Sequence, residues 1–321
     1  MILTTTASVL GARLHGSGTA HAALTLLVVG LLAGRCAAGA WVQQEGHYFL
    51  KVGSSYFSTS EEFNHLGERL PILEEQTAFE DASFRDANLN LYLEYGLTRH
   101  ATVVATLPFK GLRSERDVLF GGGIETNREI VNTVGFGDVT VSGRRKLLSD
   151  PLALSMQAGV KLPLGYARRP TNDGPPLGSA KFDGEIHLLA GRSLWPWPGY
   201  VTGSVGFRRR GGRLNDELVY GIEAGYNLGP VLVKMALDGV RNRSTPPDIA
   251  GQTVVTPLPG GGGVLPNLVV GDQHITKVSP GLIYSLSPGR AVQAELLHVL
   301  AGTNTLSGTI FSIGLILTGT R

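Results

Sequence analysis

The stretch Leu218-Val219-Tyr220-Gly221-Ile222-Glu223-Ala224-Gly225-Tyr226 decides the fold. Leu218, Tyr220, Ile222, Ala224 and Tyr226 are apolar or small. Of the interleaved residues, Gly221, Glu223 and Gly225 are small or charged, and only Val219 breaks the pattern. Side chains on a strand point to opposite faces with period two. One face of this strand is therefore apolar and the other carries a carboxylate. Leu152, Leu154, Met156, Ala158, Val160 and Leu162 repeat the pattern against Ser155, Gln157, Gly159 and Lys161. The alternation returns about a dozen times after residue 44, which predicts an antiparallel sheet whose apolar face meets lipid. A soluble sandwich also alternates, but composition favours the lipid-facing form. Charged residues make up 17% of the chain, against roughly 25% in an ordinary soluble protein. Past the N-terminus no apolar run is long enough for a membrane helix, and hydrocarbon tolerates strands only as a closed barrel.

Twelve strands are expected, at 45–58, 84–96, 100–111, 134–148, 152–164, 181–194, 199–210, 216–227, 230–242, 273–286, 290–301 and 306–319. Four turns are short: Gly96-Leu97-Thr98-Arg99, Ser149-Asp150-Pro151, Asn227-Leu228-Gly229 and Ser287-Pro288-Gly289. Long polar segments at 59–83, 112–133, 165–180 and 243–272 alternate with them, and two connections at 211–215 and 302–305 are brief. Bacterial barrels keep short turns in the periplasm and longer loops outside. An even strand count then leaves both ends periplasmic. Tyr95, Trp195, Trp197 and Tyr200 are expected as interface rings at the periplasmic edge, and Tyr56, Phe109 and Phe207 nearer the outer edge. Arg145 and Arg192 fall on the apolar face close to short turns, where a long side chain can snorkel.

Residues 1–40 carry the marks of an export signal, and 41–321 form a single expected barrel domain. Arg13 and His15 precede an apolar run over 22–33, and Ala38-Gly39-Ala40 offers a small-residue cleavage site before Trp41. The only cysteine, Cys36, lies in this leader. Leu32-Ala33-Gly34-Arg35-Cys36 approaches a lipid-acceptor spelling, interrupted by Arg35. The processed chain is then expected to lack both disulfides and thiolate metal sites. The net charge of +2 is not gathered on one face, which speaks against nucleic acid.

The chemistry lies on the inner face. Lys51, Lys110, Arg144, Lys161, Arg208, Lys234 and Lys277 are expected to line the lumen, with Asp86, Glu94, Asp138, Glu185, Glu223, Asp238 and Glu295. His187 joins them beside Glu185. Balanced charge at close range forms paired networks, because an unpaired buried charge is costly. Such a network either fills the barrel or lines a narrow wet pore. Catalytic signatures are missing: there is no P-loop, His-Glu-x-x-His pair or Gly-x-Ser-x-Gly elbow. No cofactor is expected. The carboxylates of segment 59–83, among them Glu61, Glu62, Glu68 and Glu74, either form a solvated surface or hold divalent cations with lipopolysaccharide.

The stretch Gly135-Phe136-Gly137-Asp138-Val139-Thr140-Val141-Ser142-Gly143-Arg144 resembles the Gly-x-Gly-Asp strand of the MetA-pathway of phenol degradation family. Val278-Ser279-Pro280-Gly281-Leu282-Ile283-Tyr284 and the strand from Gly308 to Leu317 are similar to that family's closing strands. The resemblance covers most of 45–319. It implies an outer-membrane barrel that takes up small, aromatic or hydrophobic organic compounds, with membrane lipid, lipopolysaccharide and the solute as its partners. One departure from many outer-membrane barrels is the non-aromatic ending Thr318-Gly319-Thr320-Arg321, which bears on assembly. Two functions are expected to compete: a passive channel for small solutes, and a closed structural or interaction barrel without transport.

Overall fold

The computed structural model describes residues 39–74, 79–120, 125–166, 174–212, 214–243, 255–256, 263–264 and 273–320. These residues belong to one compact unit, Ala37–Arg321. Residues 1–38, where an export signal is expected, and most of segment 243–272 lie outside the described residues.

Twelve antiparallel strands close on themselves. They are β1 (His47–Thr59), β2 (Phe79–Thr98), β3 (Ala101–Phe120), β4 (Glu125–Phe136 and Asp138–Leu148), β5 (Ala153–Pro163) and β6 (Asp183–Ser193). Then follow β7 (Gly199–Arg209), β8 (Glu217–Leu228), β9 (Val231–Asn242), β10 (His274–Ser287), β11 (Arg290–Thr303) and β12 (Thr309–Thr320). Each strand pairs with its sequence neighbour. The circle closes between β1 and β12, where His47 faces Thr320 and Phe57 faces Ile310. Closure gives every wall strand a neighbour on both sides, which is what hydrocarbon demands. Large apolar residues such as Leu91, Val160, Ile186, Ile222, Leu282 and Ile313 point outward and are exposed.

β2, β3 and the upper half of β4 run further than the alternation predicts. Their ends contain Arg113-Ser114-Glu115-Arg116-Asp117 and Thr126-Asn127-Arg128-Glu129, which lack an apolar face and so read as loop. The backbone ladder nevertheless continues, with Asp117 opposite Arg128 and Arg113 opposite Asn132. Charge pairs take the place of lipid contact. Glu115 reaches Arg113 at 2.6 Å and Arg128 at 3.1 Å. Arg116 reaches Glu129 at 2.6 Å and sits 5.1 Å from the centre of the Phe79 ring. β4 is interrupted at Gly137, whose N–H donates to Pro108 O at 3.0 Å.

Segment 59–83 also differs from a solvated loop. Glu61–Phe63, Arg69–Pro71 and Thr305–Leu306 form a small three-stranded sheet at the long-loop end. Ile72, Leu73, Phe79 and Ala82 turn inward from it and pack with Phe57, Phe84, Leu112 and Leu177. Three of the carboxylates there serve the chain itself. Glu61 pairs with Arg69, and Glu62 accepts from Leu73 N–H at 3.0 Å. Glu68 accepts from Asn64 at 3.0 Å. Among the described residues, no group of three His, Cys, Asp or Glu is placed to hold a metal ion.

Candidate functional site: the charged lumen

The inner face carries a continuous ion ladder across five strands. Lys161 on β5 reaches Asp138 on β4 at 2.8 Å and Asp183 on β6 at 2.8 Å. Asp183 also meets Arg210 at 3.1 Å, and Arg210 pairs with Glu217 on β8. Glu217 takes Arg208 at 2.9 Å, and Arg208 reaches Glu185 at 3.1 Å. His187 lies 3.5 Å from Glu185 at the end of the chain of contacts. A second cluster spans β8, β9 and β11: Lys234 lies 3.1 Å from Glu223 and 3.2 Å from Glu295. Tyr200 donates its hydroxyl to Glu223 at 2.7 Å, and Gln293 donates to Glu295 at 2.6 Å. Lys51 lies in the combined field of Glu295, Lys234 and Glu223. Lys277 and Asp238 pair at 2.9 Å. Alternating signs on adjacent inward positions let most of these charges meet an opposite.

Residues 39–46 enter the barrel at its short-turn end, and nothing in the alternation announces this. Glu94 and Arg144 form the most deeply buried ion pair, at 3.1 Å with side chains 2% and 3% exposed. Both hold the entering segment. Arg144 donates to Trp41 O at 3.0 Å, and Gln43 Nε2 donates to Glu94 at 2.7 Å. Gln43 N–H donates to Thr102 Oγ1 at 2.8 Å. Gln157 accepts from Arg144, and Tyr92 donates to Glu94. The Trp41 ring meets Tyr200 edge-on, with centroids 6.2 Å apart. Ala40 is buried against Ala153 and Leu189. This entering segment, the stopper, thus brings an aromatic ring and a neutralised ion pair into the mouth.

At the opposite end, residues 174–180 fold inward. A Cβ on Gly135 would lie 2.9 Å from Leu177, and one on Gly137 would lie 3.2 Å from both Leu177 O and Lys110 Cε. A side chain at Gly137 would press on the Leu177 carbonyl, and one at Gly135 would push the end of the Leu177 side chain aside. Asp138 then fastens the segment, accepting from the Tyr166 hydroxyl and from Ser179 N–H at 3.4 Å. Ser179 in turn receives Lys161. The Gly-x-Gly-Asp spelling is therefore a seat for an inward loop. Beneath that loop lies a cavity of about 300 Å³. Its wall is mixed: Phe84, Leu112, Leu177 and Leu306 are apolar, while Asp86, Lys110, Asp138, Lys161 and Arg210 are charged. Asp86 accepts from Asn88 at 2.7 Å and feels Lys110 electrostatically.

The fifteen lumen candidates thus fall into the ladder, the Lys234 cluster, the stopper pair, the Lys277–Asp238 pair and the cavity wall. Asp183, Arg210 and Glu217 complete the ladder but are absent from the sequence-derived set. Each shares strand parity with a residue already in it, so the signal was available. One assignment needs correction: Tyr200 is not an interface ring. It sits on the same face as Thr202 and Arg208, is 6% exposed, and contacts Trp41 and Glu223. Trp195 and Trp197 are exposed. His298 bonds Thr309 Oγ1 at 2.8 Å.

Closed wall, apolar exterior and charged interior together define a β-barrel fold of the outer-membrane kind. Among solved structures, the chain is similar to an outer-membrane channel from Pseudomonas putida F1, at 13% identity and a TM-score of 0.60, covering 88% of this chain and 99% of that one. It is also similar to the CymD monoaromatic hydrocarbon channel, at 10% identity and a TM-score of 0.42, covering 87% and 89%. A third likeness is to the toluene transporter TbuX of Ralstonia pickettii, at 9% identity and a TM-score of 0.40, covering 86% and 89%. No protein-family model matches the chain, and no curated protein matches it in sequence.

Proposed function

We propose that this protein is a passive outer-membrane channel for small organic solutes, exported by its leader and set in lipid beside lipopolysaccharide. The observation that carries the reading is the cavity of about 300 Å³ on the inner face, bounded by charged and apolar side chains and a loop segment. A barrel meant only to be solid could fill that volume with side chains. Twelve strands enclose more room than the eight that side chains fill, and less than the sixteen of general porins. Charges of both signs along the path favour weak ion selectivity. The short turns then face the periplasm and the long loops the exterior. The resemblance around Gly135–Asp138 supports aromatic or hydrophobic solutes.

The stopper favours a second reading, a closed barrel that does not conduct. Planar bilayers and liposomes separate the two. The intact protein should show small conductance and speed entry of a phenolic acid while excluding an oligosaccharide. Deleting residues 39–45 should raise the conductance severalfold. Absence of conductance and uptake in both forms would leave the closed barrel.

A further inference from the structure

The charges on the cavity wall differ in how they are satisfied. Lys161, Asp138 and Arg210 are each engaged within the ladder. Lys110 has no ion pair or hydrogen bond among the described residues, although Asp86 lies close enough to attract it. Among the described residues Asp86 has one hydrogen-bond partner, the Asn88 amide. The two form no ion pair, although another diagonal couple in this lumen, Lys161 and Asp138, closes at 2.8 Å. Lys110 stands opposite Asn88, and Asp86 stands opposite Leu112, so the ions occupy a diagonal. Diagonal neighbours on a sheet are about 7–8 Å apart at the backbone. The cavity thus presents one carboxylate and one ammonium, farther apart than an ion pair. Beside them lie Phe84, Leu112, Leu177 and Leu306.

We propose that the cavity is a binding subsite for a small zwitterion with an apolar body, of which an α-amino acid bearing a hydrophobic side chain is the representative. This rests on the channel reading and names a solute class for it. The ligand's ammonium meets Asp86, its carboxylate meets Lys110, and its side chain lies against the Phe84–Leu177 wall. A ligand with one charge satisfies one of the two groups and leaves the other facing apolar surface without a counter-ion, and a neutral ligand leaves both so. A zwitterion satisfies both at once and adds no net charge to an already balanced lumen. The cavity volume is that of a small organic molecule, and the inward loop forms part of its wall.

The test uses the purified full-length barrel in detergent, with L-phenylalanine, 3-phenylpropionate and phenethylamine as calorimetric probes. The three share an apolar body and differ in which charges they carry. L-Phenylalanine should bind about tenfold tighter than either analogue, the ratio expected for one charge-assisted contact. Asp86→Asn should bring L-phenylalanine down to the affinity of 3-phenylpropionate, and Lys110→Gln should bring it down to that of phenethylamine. Equal binding of all three by the unaltered protein overturns the proposal, whether or not the variants fold. So does loss of the preference in neither variant when both fold. Bilayer conductance is the separate readout. Zwitterion-selective binding without conductance upholds the subsite and sinks the channel, and conductance without the preference does the reverse.

Discussion

At the scale of single residues, the two faces of a strand differ in what they tolerate. Ile222 is 53% exposed on the outer face. Glu223 next to it accepts from Tyr200 and pairs with Lys234. Ile222→Arg should cost roughly 2–4 kcal/mol in folding titrations into vesicles if that face lies near mid-membrane. Glu223→Gln keeps the volume but only one acceptor oxygen for Tyr200 and Lys234, and should cost about 1–3 kcal/mol. Equal and negligible effects at the two positions would contradict the facing. The stopper pair is the harsher site. Arg144→Met leaves Glu94 buried with no cation and should cost about 3–5 kcal/mol in the same titration. Parity made much of this legible: once Glu223 is inward, Glu217 and Gly225 follow. Tyr200 was misread because a ring beside a Trp-Pro-Trp-Pro turn fits an interface girdle, and only strand parity turns it inward. The Glu94–Arg144 pair could not have been read from pattern, because its register lies 50 residues apart in sequence.

At the scale of elements, the Gly137 interruption and the 174–180 segment form one device. A Cβ on Gly178 would collide with Tyr166 and Asp138. Gly178→Ala should therefore unseat the segment at a cost of about 1–3 kcal/mol. That corresponds to roughly tenfold or more in its opening, seen as faster tryptic cleavage at Lys181 while the barrel itself resists. Unchanged cleavage would mean that the close approach is not what holds the loop. The inward fold of this segment was hidden because Pro175-Pro176-Leu177 offers no periodicity, only one large apolar residue among turn formers. The long hairpin of β3 and β4 was hidden for the opposite reason. Its alternation is of charge against charge, and a search for lipid-facing apolar stripes passes over it.

At the scale of the whole molecule, strand number and closure were legible because lipid imposes a strict period on every wall strand. What fills the interior was not, since stopper, loop and small sheet answer to contacts distant in sequence. Orientation follows from connection length and is open to labelling. A cysteine replacing Leu66, which is exposed beside the small sheet, should react with an impermeant maleimide on intact cells. One replacing Pro288 in the β10–β11 turn should react only after the outer membrane is breached. The reverse pattern would invert the barrel. The stopper carries a last consequence, for the timetable of maturation. Ala40 is 1% exposed, so no peptidase can take hold of the chain there once the barrel has closed around it. If the leader is removed beside Ala40, removal must come first, and a precursor that inserts uncut would keep its leader for good. A pulse-chase would then show processed chain ahead of heat-resistant barrel, with no late conversion of one folded form into another.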